Sequence, residues 1–79
     1  MTISEVKAEV IRVIRDSTES EYPITMETHL VKGLGLSSVE IMMLVSDLED
    51  RFGVHISSAK LRHVWTVGDL SDLVISAIK

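Results

Sequence analysis

Two adjacent serines are the residues of this chain best placed for covalent chemistry. Ser37 and Ser38 end the segment Lys-Gly-Leu-Gly-Leu-Ser-Ser, in which two glycines predict a turn that delivers a hydroxyl to the start of a helix. A serine at that place caps the helix by accepting from the free N–H groups of its first turn. It can also present an exposed hydroxyl on a rigid element as an attachment point. These residues alone leave both interpretations open.

The common catalytic and metal-binding motifs are missing from the sequence. A hydrolase nucleophile elbow needs glycine on both sides of its serine, but Val39 follows the serine pair. No Gly-Lys-Ser or Gly-Lys-Thr follows the glycines, as a phosphate-binding loop would require. The histidines have no cysteine companions and lie far apart in the chain, at His29, His55 and His63. We therefore expect neither an enzyme nor a metal site.

Length and composition predict one small domain covering residues 1–79. The chain is 46% hydrophobic and 25% charged and has no cysteine, so hydrophobic packing must hold the fold together. The net charge of −4 disfavours nucleic acid as a partner and favours basic protein surfaces. No apolar stretch is long enough for a membrane span or a signal peptide. We expect a cytoplasmic monomer without membrane insertion.

The spacing of apolar residues predicts a helix in the first part of the chain and a long loop after it. Apolar positions recur every three or four residues from Thr2 to about Asp16, and Thr2 with Glu5 forms a plausible capping box. Residues 18–29 have no such period and contain the only proline, so we expect an ordered loop. So long a loop needs apolar anchors in the core, and we predict these to be Ile24, Met26 and Leu30.

The rest of the chain also has helical spacing. It predicts a second helix over Val39 to Phe52 ended by Gly53, a short helical turn around Ser58 to Arg62, and a final helix capped by Thr66. Asp69 lies at the capping-box position of that last helix. The expected fold is all-α, a small four-helix bundle of three main helices and a short third helix, with a long first loop.

The serine pair lies within residues 34–40, which read Leu-Gly-Leu-Ser-Ser-Val-Glu and lead into an amphipathic acidic helix. This segment resembles the acyl carrier protein family, whose pattern is Leu-Gly-x-Asp-Ser-Leu before such a helix. Leu44, Leu48 and the Phe-Gly-Val at residues 52–54 continue the pattern in register. Residues 66–70, Thr-Val-Gly-Asp-Leu, look like the segment that opens the family's last helix. The resemblance covers nearly the whole chain without a gap.

The resemblance implies a 4′-phosphopantetheine group, derived from coenzyme A, on Ser38. It implies a discrete carrier that holds acyl groups as thioesters for enzymes of fatty-acid, polyketide or related biosynthesis. Its partners would be a phosphopantetheinyl transferase and acyl-loading and acyl-processing enzymes with basic docking patches. Ser-Ser-Val replaces the family's Asp-Ser-Leu, so Ser37 stands at the aspartate position. A serine can cap a helix but cannot supply negative charge to its N-terminus.

We predict a partner-binding surface on the second helix beside Ser38. Residues 37–52 carry four acidic side chains and one arginine, a charge pattern that attracts basic enzymes. Methionine suits an adaptable contact surface. We expect Met43 to be exposed, whereas filling of the core is favoured for Met42. The candidate partner-binding residues are Val39, Glu40, Met42, Met43 and Asp47.

Other interpretations remain open from the sequence. The carrier could hold aminoacyl or peptidyl groups, or the chain could be an unmodified helical interaction module in which Ser38 is only a cap. Trp65 is expected to pack over the short third helix or to line a partner contact, with packing favoured. A cargo cavity or simply the core could be walled by Leu48, Ile56, Leu61 and Leu73.

Overall fold

The computed structural model describes residues 2–18 and 23–78, and these form an all-helical fold. In chain order the elements are α1 (Ile3–Thr18), α2 (Ser38–Phe52), a 3₁₀ turn (Lys60–His63) and α3 (Val67–Ile78). The all-α prediction is confirmed, and the short third helix of the expected bundle is a single 3₁₀ turn. Within the described ranges, no helix is long and apolar enough to cross a membrane.

The three α-helices share one hydrophobic core because each has an apolar stripe that faces the other two. Two of the predicted loop anchors, Ile24 and Leu30, are buried in this core, and Met26 packs against it half-buried. Those three predictions are confirmed. The apolar side chains with no solvent exposure are Val10, Ile14, Leu30, Leu48, Val67, Leu70 and Val74.

Side-chain caps set the predicted helix ends. At the start of α1, the Thr2 N–H donates to Glu5 Oε1 (2.9 Å) and the Glu5 N–H donates to Thr2 Oγ1 (3.1 Å), which confirms the capping box. The helix runs two residues past the predicted Asp16, and its last residue, Thr18, donates to the Ile14 carbonyl (2.8 Å). Gly53 ends α2 with φ 65°, a left-handed conformation that favours glycine.

The first loop is tied to the start of α3 by backbone hydrogen bonds. An isolated antiparallel bridge joins His29 to Thr66, which explains how a loop without regular structure is held in place. The Trp65 carbonyl accepts one of the hydrogen bonds of this bridge, and the residue is 58% exposed, so the expectation that it packs over the short helix is wrong. The donors and acceptors are Leu30 N–H to Trp65 O (2.8 Å), Val67 N–H to Thr28 O (2.9 Å) and Gly68 N–H to Met26 O (2.8 Å).

Ser71 on α3 is fully buried, and among the described residues its hydroxyl has no hydrogen-bond partner. We predict that Ser71→Ala raises the free energy of unfolding by about 1 kcal/mol, because a buried hydroxyl without a partner loses its hydration. Urea denaturation measures this. Ser76→Ala, at an exposed position of the same helix, is the control for the gain in helix propensity. A Ser71→Ala protein less stable than the Ser76→Ala protein would contradict the prediction.

Candidate attachment site at the start of helix α2

Ser37 is the N-cap of α2. Its backbone is extended (φ −83°, ψ 169°), and its Oγ accepts a hydrogen bond from the Glu40 N–H (3.2 Å). The Glu40 carboxylate returns the contact by accepting from the Ser37 N–H (3.1 Å). This reciprocal pair is a complete capping box. The cap interpretation of the serine pair therefore belongs to Ser37.

Ser38 is the first residue of α2 and is exposed to solvent. Its hydroxyl makes no hydrogen bond to any other residue that the structure describes, because Ser37 already satisfies the cap. The interpretation of Ser38 as only a helix cap is wrong for this reason. Its position at the positive end of the helix dipole suits a negatively charged substituent.

The turn before the serines fixes where they lie. A Cβ at Gly33 would come within 2.6 Å of the His29 carbonyl oxygen, so the close turn there requires glycine. Gly35 has φ 69°, a left-handed conformation, and its N–H donates to the Val31 carbonyl (2.9 Å). Leu36 then inserts into the core. The chain is thus anchored one residue before the cap and two before Ser38.

Three apolar side chains of α2 lie on the surface beside Ser38. Val39 is 69% exposed, Met42 52% and Met43 64%, so the expectation that Met42 fills the core is wrong. Residues three and four apart on a helix are neighbours, and these three side chains form one apolar patch. The inward positions of α2 belong instead to Leu44, Val45 and Leu48.

The acidic side chains divide into those already engaged and those free to face a partner. Glu40 is held in the capping box, and Glu49 accepts from the Ile56 N–H (2.8 Å) and lies 3.2 Å from His55 Nδ1. Asp47 is exposed, and among residues 2–18 and 23–78 it accepts only from the Ser17 hydroxyl (3.3 Å). With Asp50 it lines a surface cleft between α1 and α2. The accessible acids therefore lie two or more turns away from Ser38.

The suggested walls of a cargo cavity belong to the packed core. Leu48 and Ile56 are buried in it, and Leu61 and Leu73 pack against it half-buried. A shallow cleft of about 220 Å³ lies elsewhere, between the end of α1 and α2. Its lining is mixed, with apolar Leu36, Met43 and Leu44 and polar Ser17, Thr18, Glu40 and Asp47.

Comparison with known proteins shows what this arrangement is. A family model described as a phosphopantetheine attachment site matches residues 4–74. An acyl carrier protein of Coprothermobacter proteolyticus is 35% identical over 69 residues, which cover 86% of this chain and 84% of that protein. The chain belongs to the acyl carrier protein family.

Two further relatives agree with this membership. An acyl carrier protein of Thermotoga maritima is 40% identical over 50 residues, 63% of this chain and 62% of that protein. The solved structure of a putative acyl carrier protein from Mycobacterium tuberculosis superposes with a TM-score of 0.85 at 28% identity, covering 90% of this chain and 96% of that one. The arrangement of helices around the core is therefore that of an acyl carrier protein.

Membership implies a covalently attached 4′-phosphopantetheine and a carrier role rather than catalysis. The residues at the start of α2 fit that group. Ser38 offers an exposed hydroxyl without a partner among the described residues, next to N–H groups that stabilise a phosphate. The terminal thiol of the 4′-phosphopantetheine, when the group is present, forms thioesters. The chain has no cysteine that could compete for them.

The division of roles between the two serines predicts how stability responds to substitution. Ser37→Ala should lower the free energy of unfolding by about 1 kcal/mol because it removes the side-chain cap. Ser37→Asp should keep or raise stability, since aspartate caps equally well and its charge suits the helix N-terminus. Thermal and urea unfolding check both. Ser38→Ala is the matched control, and a loss of stability in it as large as in Ser37→Ala would contradict the assignment.

Proposed function

We propose that this chain is a discrete carrier protein that holds acyl groups as thioesters on 4′-phosphopantetheine attached to Ser38. The observation that supports it is the separation of two roles in adjacent residues. Ser37 uses its hydroxyl in the cap of α2, whereas Ser38 presents its own to solvent at the same helix end. An enzyme can reach Ser38 without disturbing the helix.

The attachment step transfers a phosphoryl-linked arm from coenzyme A to the serine. Ser38 Oγ attacks the phosphorus next to the pantetheine, a new O–P bond forms, and the bond from that phosphorus to the bridging oxygen of the diphosphate breaks. Adenosine 3′,5′-bisphosphate leaves, and the hydroxyl proton passes to a base of the transferase. The remaining phosphodiester carries one negative charge, which the N-terminal N–H groups of α2 stabilise.

The partner that must approach Ser38 covers the apolar patch of Val39, Met42 and Met43. We propose that a phosphopantetheinyl transferase and the acyl-processing enzymes bury this patch, and that Asp47 and Asp50 attract basic groups at its far end. Glu40 contributes through the cap, because its carboxylate is held by the Ser37 N–H. Contact near Ser38 is then mainly apolar, and electrostatic attraction comes from further along α2.

Membership of the family indicates the class of cargo, and more than one biosynthetic pathway uses that class. Fatty-acid, polyketide and related biosynthesis all use acyl thioesters on such an arm, and an aminoacyl or peptidyl carrier uses the same attachment chemistry. The intact mass of the protein purified from its own host identifies the cargo directly.

The second candidate function, an unmodified interaction module, is favoured by Ser37 standing where the family has aspartate.

The attachment residue is tested by incubating the protein with coenzyme A and a promiscuous transferase and measuring its intact mass. We expect a gain of one phosphopantetheine in the wild type and in Ser37→Ala, and no gain in Ser38→Ala. Labelling that survives in Ser38→Ala but is lost in Ser37→Ala would move the site by one residue. A wild type that stays unlabelled would favour the interaction module.

The two parts of the docking surface are separated by their response to salt. Met43→Gln should slow the transfer of phosphopantetheine to the protein about fivefold at every salt concentration, because it removes an apolar contact with the transferase of about 1 kcal/mol. Asp47→Asn should slow this transfer about twofold at low salt and have no effect at high salt, because exposed charges are screened. Ser46→Gln, an exposed change on the same helix, is the control. A Met43→Gln defect that disappears in high salt would contradict the apolar contact.

A further inference from the structure

His29 makes a contact that the sequence analysis did not find. Its imidazole Nδ1 accepts hydrogen bonds from the backbone N–H groups of Val31 (3.2 Å) and Lys32 (3.0 Å). These are the second and third residues after it, where asparagine or aspartate accepts in the N-cap of a helical turn. The sequence does not indicate this contact, because histidine is not a usual N-cap residue. The contact became visible only with the loop folded.

The capped turn leads directly to the attachment site. The His29 carbonyl accepts from the N–H groups of Gly33 (2.9 Å) and Leu34 (3.0 Å), and the Leu36 N–H donates to the Leu30 carbonyl (3.1 Å). Leu36 is buried, and the next residue is the cap of α2. A continuous series of backbone hydrogen bonds therefore connects the imidazole to the segment that presents Ser38.

The same residue is fixed to α3 on its other side. The bridge to Thr66 holds its backbone, and its ring lies 6.3 Å from the ring of Trp65. Asp69 on α3 accepts from the Trp65 and Thr66 N–H groups (3.0 and 3.1 Å), and these hydrogen bonds lower the pKa of its carboxyl. Asp69 beside the bridge and Lys32 within the turn are the charged residues connected to His29 by these contacts.

We propose that His29 is a positioning residue for Ser38. The neutral imidazole of His29 caps the turn of residues 29–35, and protonation of the imidazole releases this turn. An imidazole accepts at Nδ1 only while its proton is on Nε2. Adding a proton to Nδ1 places a donor against two N–H donors, so both hydrogen bonds are lost. The turn loses its cap, and the segment before α2 opens more often. The inference rests on Ser38 being the attachment residue.

The test compares the wild type with His29→Asn and His29→Ala. Asparagine keeps an acceptor at the same place and does not titrate, whereas alanine removes the cap at every pH. Both variants lose the ring next to Trp65, so they differ in the cap alone. NMR measures amide exchange at Val31 and Lys32, and the Leu48 amide, in the core of α2, serves as the control for global opening.

We expect wild-type exchange at Val31 and Lys32 to match His29→Asn at about pH 8 and to exceed it about fivefold at about pH 5.5, because only the wild-type cap can be lost by protonation. His29→Ala should exchange about fivefold faster than His29→Asn at both pH values. The transfer rate of phosphopantetheine, taken as the ratio of wild type to His29→Asn, should fall at the lower pH. The ratio cancels the pH dependence of the transferase itself.

Two outcomes would overturn the inference while leaving the carrier function standing. One is exchange with the same pH dependence in wild type and His29→Asn. The other is a transfer ratio that stays constant with pH although His29→Asn and His29→Ala differ in exchange. A wild type that accepts no phosphopantetheine at any pH would instead sink the proposed function, and the positioning role with it.

Discussion

The structure around the candidate attachment site depends on one hydrogen-bonded pair, the reciprocal cap between Ser37 and Glu40. A helix leaves its first N–H groups without intrahelical partners. In this chain, the Ser37 side chain accepts from one of them, the Glu40 N–H, so the following hydroxyl is not needed for the cap. Ser38 is thereby available for chemistry while remaining on a rigid element. A site that must be presented in the same way to several enzymes needs both conditions at once.

The replacement of the family's aspartate by Ser37 changes the electrostatics of the site more than its geometry. The cap is complete, but the negative charge that an aspartate would place at the helix start is absent. Glu40 supplies a carboxylate there, and the Ser37 N–H holds it. Apolar side chains then occupy the surface next to Ser38. The consequence is a surface that is apolar next to Ser38 and whose free carboxylates, on Asp47 and Asp50, lie towards α1.

The first loop has a structural role that its irregular sequence conceals. Its backbone pairs with the start of α3, its apolar residues enter the core, and its last turn ends at the cap of α2. Helices α2 and α3 are thus connected through the loop as well as through the core. His29 lies where these connections meet, because its backbone is bridged to Thr66 and its imidazole accepts from the turn before α2.

The sequence by itself determined the elements whose signals are local. Apolar spacing located α1, α2 and α3, and the Thr2–Glu5 cap and the left-handed Gly53 were expected because each depends on residues at most four apart. The motif around Ser38 likewise pointed to the family. The Ser37 cap also had a local signal, the Ser-x-x-Glu spacing to Glu40. Tertiary structure decided that Met42 and Trp65 face solvent and that the first loop pairs with the start of α3. Those outcomes depend on which face of each element the rest of the core leaves open, and a linear pattern does not contain that information.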